Sequence, residues 1–442
     1  EAKAASHSAC RRSPRRSRFP PHLRDSVFAH LRLNFLVLLH LLLAALALLS
    51  LAITLWQWLA ARRFPLHQRA ADISFAPGVT LLKPLKGLDP ETRGCLESWF
   101  QQDYRGPVQL LFGVAAAEDP VCEVVRQLLA EHPQANAQLV LCPEQLGPNA
   151  KVSTLVHLER LAQHDHLVVS DADTRVPTDF LAQVVQPLRD PQAGLVNCFY
   201  ALANPTTLAM QWEAVAVNAD FWSQVLQSRT LKPLDFALGA VMATRRQQLN
   251  EIGGFRALVD YLADDYQLGN QIAKRGYRIE LCPVVVECRE REQGWREVWA
   301  HQLRWARTIR VCQPVPYFFS ILSNATWWGV LALISSAMLT RMASPEVWAK
   351  GDFATAETLL ISAGFAVFQI ALVVRVCGSA ECYMRLSGPL LQDFNILFPL
   401  LKDLLQVPIW ALAFLGNTVV WRGQRLRVLP GGKLVPMKPK HA

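Results

Sequence analysis

Apolar positions fall into two contrasting patterns along the chain. Residues 34–61 are almost free of charge and long enough to cross a bilayer, and residues 317–340 and 358–374 form two further runs of this kind. Residues 394–420 are also apolar, but Lys402, Asp403 and Pro408 interrupt them, which favours an interfacial position over a spanning one. Between the first and second runs the pattern changes to short apolar stretches alternating with amphipathic helical ones. Stretches 79–82, 108–114, 137–142, 166–170, 194–199, 237–244 and 278–287 predict strands. Stretches 91–102, 120–132, 150–163, 178–188, 208–227 and 295–311 predict helices, with another beginning at Asp264. Such alternation predicts an α/β fold, a mostly parallel sheet covered by helices on both faces. Ligands in such sheets bind beyond the carboxyl ends of the strands. Both Lys83-Pro84-Leu85-Lys86 and Asp171-Ala172-Asp173 lie at strand ends and can converge.

This pattern divides the chain into a basic arm (1–33), a transmembrane anchor (34–61), an α/β domain (75–312), membrane helices (314–420) and a basic tail (421–442). Composition agrees with a membrane protein, since 51% of the 442 residues are hydrophobic and the mean hydropathy is +0.16. The arm carries seven Arg and one Lys against Glu1 and Asp25, a balance suited to a membrane surface and not to nucleic acid. Ten cysteines without a CxxC or metal-type spacing suit a reducing face better than a disulfide framework. Arg11 to Arg32 and the group Arg62, Arg63 and Arg69 pull the topology in opposite directions. The chemistry below decides for a catalytic domain on the cytoplasmic face, as in a bacterial inner-membrane protein.

Candidate chemistry concentrates between residues 261 and 308. Asp264 and Asp265 open a helix, where carboxylates also serve as simple caps. On the following helix His301, Arg304, Trp305 and Thr308 share one face, while Trp295, Trp299, Gln302, Ala306 and Ile309 fall on the other. Asp171 and Asp173 can reach one divalent cation, although an isolated DxD is also a common turn. Lys83, Lys86 and Lys151 stand where phosphates would lie, although single lysines are usually solvated. Each signal is modest alone. Their order and spacing together point to transfer chemistry on a charged substrate.

That combination resembles the inverting family-2 glycosyltransferases of GT-A fold, most closely the ceramide glucosyltransferase branch. The likeness rests on Leu81-Leu82-Lys83-Pro84-Leu85-Lys86-Gly87, the Asp171 region, Ala263-Asp264-Asp265-Tyr266 and the Arg304-Trp305 pair. Trp421-Arg422-Gly423-Gln424-Arg425 with Gly431-Gly432 is similar to that branch's ending, and His301 to Thr308 is similar to hopanoid-linked bacterial relatives. The resemblance implies transfer of a hexose from a UDP-sugar to a hydroxyl of a membrane lipid, ceramide-like or hopanoid. It implies that Asp171 and Asp173 bind Mg2+ or Mn2+ and the diphosphate, with Pro84, Lys86 and Lys151 around the nucleotide sugar. Asp265 becomes the general base, Arg304 and Trp305 close over the diphosphate and acceptor, and His301 joins them among the catalytic residues. Two departures stand out: Ala116 occupies the position of the family's first aspartate, with Glu118 and Asp119 two or three residues late, and His301 replaces a Gln or Arg. The rival expectations are a polyprenyl-phosphate or processive polysaccharide transferase, and a catalytically silent membrane protein keeping the fold.

Overall fold

The structure, a computed structural model, describes residues 21–342, 356–388, 394–421 and 424–437. Most of the basic arm and the end of the tail lie outside the described residues, as do positions 422 and 423 of the ending motif. The central unit begins with β1 (Val79–Pro84), buried along its whole length as a central parallel strand requires. β1 pairs in parallel with β2 (Val108–Val114) on one side and with β4 (His166–Ser170) on the other, and β2 pairs in parallel with β3 (Asn136–Leu141). The sheet continues from β4 through β7 (Val241–Arg245), β6 (Ala193–Leu202) and β8 (Arg278–Cys288) to the short β5 (Thr174–Arg175). β7 runs antiparallel to both β4 and β6, β6 and β8 are parallel, and β5 closes the edge antiparallel to β8. Parallel pairs outnumber antiparallel ones, in agreement with the strand and helix alternation.

Alternate side chains on these strands feed two cores. Leu81, Leu110 and Val168 face the layer holding α3 (Val121–Glu131), through Val125 and Leu128. Leu82, Leu111 and Val169 face α4 (Ala150–Leu161), through Val152 and Leu155. Helices therefore cover both faces. α2 (Thr92–Glu97) and α5 (Phe180–Val184) are shorter than the sequence predicts. The expected strand over 237–244 is confined to Val241–Arg245. The backbone at 236–237 is instead pressed against Gly269 of α9 (Asp264–Ala273), where a β-carbon would meet the Ala237 nitrogen at 2.3 Å. The long helix expected over 208–227 is α6 (Leu208–Val215) and α7 (Trp222–Leu231), joined by a π-helical turn, Ala216–Phe221. Asn218 pins that turn by accepting from the Leu202 amide and donating to its carbonyl, at 2.9 and 3.1 Å.

Two described helices are long and apolar enough to cross a membrane: Asn34–Arg63 of α1 (Pro21–Arg63) and Ser362–Ser387 of α13 (Ala356–Ser387). Between them, after α8 (Arg246–Glu251) and α10 (Trp295–Cys312), α11 (Pro314–Phe319) with the following turn meets α12 (Ala325–Met342) at a bend of 55°. α14 (Phe398–Phe414) buries Lys402 against Asp220 of the π-helical turn and Asp403 against Arg375 of α13, which explains how an apolar run tolerates both charges. The described part of the tail folds into a three-stranded sheet of β9 (Thr418–Trp421), β10 (Gln424–Val428) and β11 (Leu434–Pro436). It returns to the central unit through Gly431 and Gly432, whose carbonyls accept from Gln267 Nε2 at 3.0 Å and the Leu262 amide at 3.2 Å. Both glycines hold positive φ (81° and 89°), a conformation other residues resist.

Candidate active site

The turn after β4 presents Asp171 and Asp173, and its backbone is tightly held. The Asp171 amide donates to Ala240 O at 3.1 Å, and the Arg289 amide donates to Asp173 O at 3.0 Å. Lys83 sits beneath this turn and donates through Nζ to Asp171 O at 2.6 Å and Ser170 Oγ at 3.1 Å. Burial lowers its ammonium to about 8. Lys83, read from the sequence as a possible phosphate contact, is fully buried and supports the turn instead.

Lys151 enters from the first turn of α4, which Asn149 caps by accepting from the Val152 amide at 3.1 Å. Its Nζ lies 2.6 Å from Asp171 Oδ1 and 3.1 Å from Asp264 Oδ2. Burial works against its charge, but the two carboxylates overcome that and hold the ammonium above its ordinary range. Lys151 is thus a strut between two acidic loops. Pro84 is buried at the end of β1, while Lys86 is exposed and makes no ion pair or hydrogen bond among the described residues.

Asp265 follows, with Oδ1 accepting from the Tyr266 amide at 2.7 Å. The backbone of Gly239 approaches so closely that a β-carbon there would lie 2.6 Å from Asp265 Oδ2. Gly239 adjoins Ala240, the acceptor for the Asp171 amide, so one dipeptide touches both acidic loops. Burial and then the Asp264 charge raise the Asp265 carboxyl to about 7.

α10 closes the arrangement. His301 Nδ1 lies 2.8 Å from Glu213 Oε1, and Gln302 Nε2 donates to the same oxygen at 2.8 Å. The His301 ring meets Trp305 edge-on at 4.8 Å. Glu290, just past β8, accepts from Gln293 Nε2 at 2.6 Å and lies within electrostatic reach of both this helix and Asp173. Burial raises its carboxyl to about 7; His301 and Arg304 oppose that rise, while Glu213 and Asp173 add to it. The structure therefore brings Asp171, Asp173, Asp265, His301, Arg304 and Trp305 into one region, with Pro84 and Lys86 at its edge. Glu290, Glu213 and Gly239 belong to the same region without having been singled out in the sequence. A lone carboxylate on the apolar helix Leu208–Val215 was the available signal for Glu213; Glu290 and Gly239 carry none. Ala116 is exposed, and Asp119 is occupied, accepting from the Gly87 amide at 3.0 Å and the Val121 amide at 3.1 Å.

Asp171 and Asp173 suit a hard divalent cation. Asp173 Oδ1 is buried with no hydrogen-bond partner, the state of an oxygen awaiting a cation or a proton. Burial, followed by the Asp171 charge, raises that carboxyl to about 6. Among the described residues no three His, Cys, Asp or Glu side chains form a complete cage. Mg2+ and Mn2+ sites on nucleotides commonly use one or two carboxylates plus phosphate oxygens, so two suffice.

The sequence model of glycosyl transferase family 21 matches residues 42–434. The chain belongs to that family. Ceramide glucosyltransferase 3 of Caenorhabditis elegans is 26% identical over 222 residues, covering 49% of this chain and 47% of that protein. A ceramide glucosyltransferase of Candida albicans is 34% identical over 125 residues, 26% of this chain and 23% of that protein. The family-21 chain thus spans about half the length, or less, of these relatives. The expected ceramide glucosyltransferase branch is the one to which they belong. Among solved structures, a mannosyltransferase from Pyrobaculum calidifontis in complex with GDP-Man and Mn2+ is 24% identical, with a TM-score of 0.45 over 75% of this chain and 98% of that one.

Proposed function

We propose that this family-21 chain transfers one hexose from a UDP-sugar to a hydroxyl of a ceramide-like or hopanoid membrane lipid, with inversion. The observation that supports this most directly is Asp265: a carboxyl raised toward neutrality, fixed over Gly239 and joined through Ala240 to the Asp171 turn. Asp265 takes the proton from the acceptor hydroxyl as its oxygen attacks the anomeric carbon, and the nucleoside diphosphate leaves from the opposite face. No enzyme nucleophile is needed. Asp171 and Asp173 would hold Mg2+ or Mn2+, which when bound neutralises charge on the departing diphosphate. Arg304 supplies a planar cation for the same phosphates, and Trp305 covers the acceptor. A carboxylate can only accept, so Glu213 fixes the proton of His301 on Nδ1 and leaves Nε2 for substrate. Lys151 keeps the two acidic loops in register, and Pro84 and Lys86 border the nucleotide.

In this reading the catalytic unit, residues 75–312, works at the cytoplasmic face of a membrane such as the bacterial inner membrane, the side on which UDP-sugars are made. Two long apolar helices and one bent pair among the described residues are few for a polysaccharide channel, which favours a single transfer. The test is purified full-length chain with a panel of UDP-hexoses and lipid extracts, read by mass spectrometry. One hexose added to a hydroxylated lipid is the expected product; chains of several hexoses, or no lipid product, would refute the reading.

A further inference from the structure

Nine residues, about two and a half turns, separate His301 from Arg310. Arg310 therefore lies on the side of α10 opposite His301, with Arg307 one turn before it. Both reach the segment just after α14. Arg307 Nη1 donates to Thr418 O at 2.5 Å; Arg310 Nη2 donates to Asn417 Oδ1 and lies 3.4 Å from Gly416 O. We propose that these two guanidiniums hold the phosphate of an anionic membrane lipid and so anchor α10 to the bilayer just beyond Arg304 and Trp305.

Unspent charge comes first. No carboxylate pairs with either arginine among the described residues, and each Nε is buried without an acceptor. Burial, followed by the Arg310 charge, pushes the Arg307 guanidinium below its ordinary range, and no acid opposes the fall. Two cations held together in this way repel each other, and an anion that joins them relieves the repulsion. Each keeps a terminal nitrogen for that purpose. Arg307 Nη2 and Arg310 Nη1 make no hydrogen bond among the described residues and, unlike the Nε atoms, are not sealed from solvent. A β-carbon on Gly416 would stand 3.9 Å from Arg307 Nη2, and the carbonyl of the same residue meets Arg310, so the two guanidiniums converge. Planar, weakly hydrated cations in that arrangement suit a phosphate.

Position then selects the source of the phosphate. Arg310 stands four residues before Pro314, where the apolar bent pair begins. Its Cζ lies 5.7 Å from the centre of the Phe414 ring at the end of α14, and Phe318 packs on that ring at 6.3 Å. Phe318, Phe319, Val315 and Leu415 each leave more than half of their surface uncovered. Arginine beside exposed aromatic and apolar side chains is the pattern of a membrane interface, the level at which lipid phosphates lie. A nucleotide diphosphate is disfavoured, because Arg310 points away from the side of α10 that carries His301.

The experiment titrates the full chain in detergent with phosphatidylglycerol and counts the lipids retained per chain by native mass spectrometry, a readout that needs no turnover. One phosphatidylglycerol should be retained more tightly than phosphatidylcholine, whose choline adds a further cation, or diacylglycerol, which lacks the phosphate. Arg307→Gln/Arg310→Gln should weaken retention about thirtyfold. Arg62→Gln/Arg63→Gln removes equal charge at the end of α1 and should leave retention unchanged. Excess UDP or inorganic phosphate should not displace the lipid. Equal retention of the three lipids, displacement by UDP, or equal loss in the two variants would overturn the proposal. The lipid comparison and the UDP competition on the unaltered chain decide even where the Arg307/Arg310 variant fails to fold.

Discussion

The Gly239 backbone lies against the Asp265 carboxylate so closely that any β-carbon at 239 would fall 2.6 Å from Oδ2. Close approach, and not an unusual backbone angle, is what requires glycine here. Gly239→Ala should therefore push the carboxylate off its position while leaving the buried strands intact. A displacement of this order costs about a hundredfold in turnover. Turnover measured beside circular dichroism checks it; a folded variant at full rate would show that the position of Asp265 does not matter.

Lys151 joins Asp171 and Asp264, and its removal leaves two carboxylates facing each other. Lys151→Met should cost about 3 kcal/mol, the lower end for a broken buried pair because Asp171 is partly exposed. Thermal unfolding in detergent reads the loss, and UDP-sugar affinity should fall with it. An unchanged melting temperature would mean that the strut bears no load.

The raised carboxyl of Asp265 sets a pH dependence. As a base it must be ionised, so kcat/KM should rise tenfold per unit of pH up to about 7 and then level. Stability runs the other way. The folded-state value lies above the unfolded one of 3.8, so the unfolded chain gives up this proton first and stability falls as pH rises from about 4 to about 7. Asp265→Asn should accordingly raise the melting temperature at pH 8 and leave it unchanged near pH 4. A rate that is flat between pH 5 and 8 would remove Asp265 from the role of base.

Chelation should abolish transfer, and Mn2+ or Mg2+ should restore it, if Asp171 and Asp173 hold an ion at the diphosphate. Asp173→Asn should lose about tenfold or more in Mn2+ affinity, measured by the metal's own magnetic resonance signal without turnover. Full activity in excess chelator would exclude the metal role.

The legible features were those carried by local pattern. Short strand runs such as residues 79–82, and the Asp264 helix start, follow from side-chain period and capping alone. Features set by distant contacts were not legible. The π-helical break at Asn218 depends on the Leu202 backbone, and the burial of Lys83 depends on the turn after β4. Lys402 and Asp403 read as interruptions of an apolar run, because their partners Asp220 and Arg375 lie elsewhere in the sequence. Within the site the aspartates at 171, 173 and 265 stood out by motif. Glu290 and Gly239 act only through what folds against them.

The most direct measurement compares the unaltered chain with Asp265→Asn for hexose transfer from UDP-sugar to ceramide in vesicles, with UDP-sugar binding measured alongside. Removal of the base should lower transfer by about 10³-fold with binding preserved. Transfer within a factor of two of the unaltered chain would contradict the account at its centre.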